Sequence, residues 1–241
     1  LIRTLRYVWR TPVAGWGFLP NNVCSDSCNI WYLTRRRVTQ VPNKPVVMTD
    51  GLFSGLTIKP KLIVFDLGLF IFIVPDVSSL SVTLLDLTLW PFDCDDFVGH
   101  KFHKKGAKVF DSNGEAVNVC PDSNYLLESI KNEDGVLLAC ASRTVFPESA
   151  LQLIRAHDWD KLFDVMEIYP SSKVKHFNAL AKKTGVSFNE MLFFDDLHWN
   201  IDEVSRLGVH AHLVKNGINT GLVRRALQAY EQAHKSRNTG V

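Results

Sequence analysis

At 241 residues, 46% of them hydrophobic, the chain is long enough for one ordinary domain with a full core. Its net charge of +2 conceals a split: residues 1–47 hold seven Arg/Lys against one Asp, and residues 48–241 hold 20 basic against 24 acidic side chains. A mildly acidic body excludes a reader of duplex phosphates. Five scattered cysteines without a C-x-x-C pair exclude a disulfide framework and a zinc site, and they fit a reducing, cytoplasmic setting.

Residues 1–47 are Arg-rich and acid-poor, loosely like a mitochondrial presequence. Trp9, Trp16, Trp31 and four prolines spoil an amphipathic helix there. The segment reads as an N-terminal extension, disordered or non-native, with Met48 as the natural start of a domain over 48–241. Lys61–Asp66 is a short apolar run with a β-branched pair, which predicts a buried strand. Trp90-Pro91-Phe92 breaks the chain. Lys101–Lys104 and Lys108–Phe110 predict short strands, the turn Asp111-Ser112-Asn113-Gly114 follows, and Ala116–Val119 returns as a hairpin. Residues 93–120 thus form a small cap over the sheet edge.

Pro121 suits the first position of a helix continuing over Asp122–Lys131. Val136–Cys140 is a strand, Pro147–His157 a helix, and Phe163–Tyr169 a strand. Lys173–Thr184 is a helix stopped by Gly185. Met191–Phe194 is a strand, Asn200–Leu207 a helix, His210–Val214 a strand and Leu222–His234 a closing helix. Alternating strands and helices predict an α/β fold, a doubly wound parallel sheet with helices on both faces.

In such a sheet, ligands bind at the C-terminal ends of the strands. Four strand ends carry, in order, Asp66, Ser142-Arg143, Lys173 and Asp195-Asp196. Two adjacent buried carboxylates are costly unless a cation or hydrogen bonds compensate them. Acids, a hydroxyl, a lysine and a metal-type pair together suggest phosphoryl chemistry. Taken singly, each has a plainer role: Lys173 a solvated charge, Ser142 a cap, Asp195 a turn residue. Only the ordered series reverses those odds. Trp90 serves equally as a core wall or a substrate contact, and Cys140 reads as a small buried hydrophobe. A cysteine phosphatase needs an Arg where Phe146 stands. His100 and His103 have ligand-like spacing in a polar loop, whereas His210 and His212 share a strand face and read as structural.

The motifs Phe65-Asp66-Leu67 with Asp86-Leu87-Thr88-Leu89-Trp90-Pro91-Phe92, Ala141-Ser142-Arg143-Thr144, Ser171-Ser172-Lys173 and Phe193-Phe194-Asp195-Asp196 resemble those of the haloacid dehalogenase (HAD) superfamily. Glu167-Ile168-Tyr169-Pro170 and Lys183-Thr184-Gly185-Val186 narrow the resemblance to its magnesium-dependent phosphatases. The resemblance implies Asp66 as nucleophile forming an aspartyl-phosphate. Asp86 is then the general acid and base, a role worth about 10²–10⁴-fold. It implies Mg²⁺ on Asp66, the Asp86 carbonyl and Asp195, with Asp196 supporting. Ser142, Arg143 and Lys173 contact the phosphoryl group, and Thr88 buttresses the nucleophile loop. The expected substrates are phosphotyrosine-type or other phosphorylated small molecules, phosphosugars included. No nucleic acid or membrane partner is expected, and the protein is expected to be a monomer.

Two departures stand out. Asp66 and Asp86 belong two residues apart, yet Gly68–Leu85 intervenes without a Lys, Arg or Glu. Its removal rejoins Phe65-Asp66-Leu67-Asp86-Leu87-Thr88 cleanly, as a retained intron would. If the insertion is present, either it loops out and Asp66 stays nucleophile, or Ser81–Leu85 takes the strand and Asp86 becomes nucleophile with Thr88 in the acid position. The apolar run from Leu69 ends at Pro75-Asp76, too short to span a bilayer. The second departure is Leu197-His198-Trp199, where the family carries charged residues. A rival from another class is a catalytically impaired phosphatase-like binding protein. A signalling receiver domain fails because its acid pair comes first, not last.

Overall fold

The computed structural model describes residues 51–67, 88–92 and 97–238. The expected extension 1–47, the whole insertion 68–85, and Asp86 lie outside these residues. The main sheet has five parallel strands: β1 (Leu62–Phe65), β5 (Leu137–Ser142), β6 (Val165–Ile168), β7 (Met191–Asp195) and β8 (His210–Leu213), in the order β6-β5-β1-β7-β8. A second, antiparallel sheet joins β2 (His103–Lys105), β3 (Lys108–Phe110) and β4 (Ala116–Val117) within the expected cap. The turn between β3 and β4 is held by Asp111, whose carboxylate accepts from the amides of Asn113 and Glu115 at 2.9 and 2.8 Å.

Helices cover both faces, as alternating side-chain direction requires. Ile63 and Phe65 of β1 enter one apolar cluster with α1 (Ser123–Lys131), α2 (Pro147–Ala156) and α5 (Thr220–Asn238). Leu62 and Val64 enter the other, with α3 (Lys173–Thr184) and α4 (His198–Ser205). The continuous apolar run of β1 is therefore a strand buried on both faces. Among the described residues, no helix is long and apolar enough to cross a membrane.

Element boundaries shift slightly from the sequence expectations. Pro121 lies two residues ahead of α1, whose first residue is Ser123. α4 begins at His198 rather than Asn200, and α5 begins at Thr220 rather than Leu222. The α5 start is fixed from afar: Asp122 accepts from the amide and hydroxyl of Thr220, both at 2.8 Å. α3 matches its expected span, with Ser172 as N-cap accepting from the Lys175 amide and Gly185 closing it at φ +71°.

Candidate active site

The chain leaves β1 toward β5 on one side and reaches β7 on the other, so the order reverses at β1. The crevice at such a reversal is where ligands sit in open α/β sheets. Phe65 is in register with Phe194, and the Asp66 amide donates to the Phe194 carbonyl at 2.9 Å. Asp66 thus heads the central strand level with Asp195. The slot between β5 and β7 is filled by Leu62–Phe65.

Asp66, Asp195 and Asp196 are buried, and ligand oxygens from the three lie within 4.8 Å of one another. Lys173, the first residue of α3, is also fully buried. Its ammonium donates to Asp66, donates to the Ala141 carbonyl at 2.6 Å, and lies 3.2 Å from Asp195 Oδ2. Burial by itself lowers a lysine, but Asp66 and Asp195 outweigh it and hold Lys173 above its ordinary value. Burial, abetted by Asp195 and Asp196, pushes the Asp66 carboxyl well above the usual range, against the pull of Lys173. Burial and then the Asp195 charge push Asp196 up to about 7.

Ser142 and Arg143 lie at the end of β5. Ser142 is fully buried, and its hydroxyl accepts from the Thr144 amide at 3.3 Å. Arg143 is half-buried and donates from Nη1 to Asn200 Oδ1 at 3.0 Å. Thr88 donates from its hydroxyl to Asp196 Oδ1 at 3.2 Å, and its carbonyl accepts from the Ile218 amide at 2.9 Å. Its side chain therefore meets the acid pair. Contacts link Asp66, Lys173, Asp195, Asp196 and Thr88, and reach Arg143 through Asn200, while Ser142 precedes Arg143 at the end of β5 and Asp86 lies outside the described residues.

Two side chains joined to this network were not read from the sequence. Asn200, in the first turn of α4, donates from Nδ2 to Asp195 Oδ1 and Oδ2 at 3.1 and 2.9 Å. Its signal in the sequence is a lone amide five residues past Asp195. His176, one turn beyond Lys173, bonds through Nε2 to the Tyr169 carbonyl at 3.0 Å, while the Tyr169 amide donates to the Ser142 carbonyl at 3.2 Å. Burial and the Lys173 charge lower His176 to about 4, so the ring is neutral and donates here.

Other expectations separate from the site. His100 bonds Asp111 at 3.1 Å, whereas His103 stacks on Phe110, so the two do not converge on a metal. His210 packs against Tyr230 and His234, and His212 against Phe194. Trp90 is fully buried between the rings of Phe92 and Trp159, a core wall. Cys140 is fully buried, and that burial pushes its thiol far up, away from reactive thiolate.

The donor set fits a hard divalent cation. Three carboxyl groups offer oxygen ligands, and when all three are ionised they exceed the one ammonium and leave negative charge for a cation to cancel. Asp196 Oδ2 is buried with no hydrogen-bond partner among the described residues, a cost that a cation would relieve.

Residues 76–233 match the acid phosphatase family. Human magnesium-dependent phosphatase 1 is 41% identical over 158 residues, covering 65% of this chain and 89% of the human protein. A HAD-like hydrolase superfamily protein of Schizosaccharomyces pombe is 32% identical over 151 residues, covering 56% of this chain and 86% of that protein. Among solved structures, a HAD family enzyme of Bacteroides thetaiotaomicron in complex with magnesium and inorganic phosphate is 18% identical, with a TM-score of 0.37 over 44% of this chain and 58% of that one. The family match begins beyond Asp66, inside the interruption.

Proposed function

The chain belongs to the acid phosphatase family of the HAD-like hydrolases and is a magnesium-dependent phosphatase, and from that premise we propose that it cleaves phosphomonoesters through an aspartyl-phosphate on Asp66. The observation that carries this reading is the buried Lys173 ammonium, which bonds Asp66 and lies 3.2 Å from Asp195. By opposing the upward push of burial, Lys173 favours the ionised carboxylate that a nucleophile must be.

An Asp66 oxygen bonds to phosphorus as the ester P–O bond breaks. The departing oxygen takes a proton from the Asp86 carboxyl. Water then attacks phosphorus, the Asp86 carboxylate takes its proton, and inorganic phosphate leaves a free Asp66. The Ser142 hydroxyl donates a hydrogen bond to a phosphoryl oxygen, and Arg143 and Lys173 balance the charge that develops there. Asp66, Asp195 and the Asp86 carbonyl would hold Mg²⁺, with Asp196 in support, and the ion would supply Lewis-acid neutralisation of the phosphoryl group.

For the leaving group we favour aryl phosphates of the phosphotyrosine type, with phosphosugars as a second class. Support comes from exposed Val145 and Phe146, just past Arg143, and exposed Trp199, just past Asp196. We further propose a cytoplasmic monomer acting on phosphorylated molecules, without nucleic-acid or membrane partners. The free, buried Cys120 and Cys140 fit a reducing compartment.

The test is hydrolysis of an aryl phosphate by the full chain and by a variant lacking Gly68–Leu85, each with Mg²⁺ and with chelator. Metal-dependent turnover in both supports Asp66 working across the interruption, and turnover in the deletion alone means that the interruption blocks it. An acyl phosphate labile to hydroxylamine should appear on quenching and vanish in Asp66→Asn. If both folded forms are inactive, the impaired, phosphatase-like binding protein is the better description.

A further inference from the structure

We propose that Asn200 is a positioning residue that couples the Arg143 anion contact to Asp195. The inference rests on the phosphatase reading of the site and goes beyond it, joining two functions that the reading treats separately. Asn200 is buried, and its amide is used at both ends. Nδ2 donates to both oxygens of Asp195, at 3.1 and 2.9 Å, while Oδ1 accepts from Arg143 Nη1 at 3.0 Å. A guanidinium only donates and a carboxylate only accepts, so these partners fix the orientation of the amide.

A neutral planar amide meets both neighbours at once. An Asp here sets a charge against Asp195, and a Lys can only donate, so it cannot accept from Arg143. The Leu197 amide adds a third bond to Asp195, at 2.8 Å, which leaves the carboxylate little freedom to turn. Arg143 enters at the end of β5 and Asp195 at the end of β7, so Asn200 bridges strands that flank β1. A change in the hold on Arg143 is felt by Asp195, and a cation on Asp195 presets Arg143 in return, since coupling between two binding events is reciprocal.

The experiment is a double-mutant cycle on the full chain, with Mg²⁺ affinity measured by calorimetry in phosphate-free buffer. Arg143→Lys keeps the charge and loses the guanidinium bond to Asn200. Asn200→Leu removes both halves of the bridge, and Asn200→Ser repeats the cycle if the leucine variant does not fold. We expect Asn200→Leu to weaken Mg²⁺ binding about 10–100-fold. Arg143→Lys should weaken it about five-fold in the unaltered chain and by less than about two-fold once Asn200 is gone. An equal loss in both backgrounds, or none in either, overturns the coupling. Asp195→Asn separates the two failures. If it binds Mg²⁺ as the unaltered chain does, the metal reading falls and takes the proposal with it. If it abolishes binding while the cycle is additive, only the coupling falls.

Discussion

Lys173 has no exposed surface and faces Asp66, Asp195 and the Ala141 carbonyl. Removing one member of a buried ion cluster leaves the others uncompensated, at about 3–5 kcal/mol. Lys173→Met should therefore lose stability on that scale in urea unfolding with chelator present, and should turn over an aryl phosphate about 10²–10³-fold more slowly. A variant as stable as the unaltered chain would mean that Lys173 compensates nothing. His176 acts one step back, through the Tyr169 carbonyl, on the loop that delivers Lys173. His176→Ala should lower kcat while leaving KM within about three-fold, since the loop positions the ammonium without binding substrate. A rise in KM at constant kcat would rule that out. Asp66, Ser142 and the acid pair were legible because each ends an apolar run, and Lys173 because it follows a strand at the start of a helix. Asn200 and His176 were not, because an amide or imidazole within a helix gives no local sign of which distant group it bonds.

Among the elements, β1 and α3 were the easiest to read. A buried parallel strand is an unbroken apolar run, and α3 carries its own punctuation in Ser172 and Gly185. The true start of α5 was hidden because its capping carboxylate, Asp122, lies 98 residues away. α5 and the strand packed against it hold two groups with separate acid signatures. Glu231 accepts from the Thr57 hydroxyl and amide, both at 2.7 Å, and these bonds with Lys235 hold it down at about 2 from its ordinary 4.5. Its contribution to stability is complete above pH 4.5 and is lost as pH falls toward 2. His210, on β8 against α5, is lowered from 6.5 to about 4 by burial and then by His234, Arg237 and His212. A depressed histidine favours the fold only when neutral, so its contribution is lost between pH 6.5 and 4. Urea midpoints against pH should flatten in the upper window for His210→Phe and in the lower one for Glu231→Gln. Unchanged curves would show that neither group is linked to folding.

Across the whole molecule, the family match and the geometry divide the site between them. The match covers Thr88, Ser142, Lys173 and the acid pair but starts after Asp66. Strand pairing sets Asp66 beside Asp195. The three-carboxylate cluster also predicts that Mg²⁺ stabilises the folded chain. At about 100 times its dissociation constant the ion should add about 2.7 kcal/mol, visible as a raised melting temperature that chelator reverses. Asp195→Asn should abolish the shift, and a shift that survives it would place the ion elsewhere. One ammonium joins the whole arrangement: Lys173 enters after β6, touches the Ala141 carbonyl in β5, and reaches carboxylates at the ends of β1 and β7. Four adjacent strands must be in register before that group has its partners. During refolding, catalysis cannot return strand by strand, and the recovery of turnover should follow the slowest docking step with no partly active intermediate ahead of it.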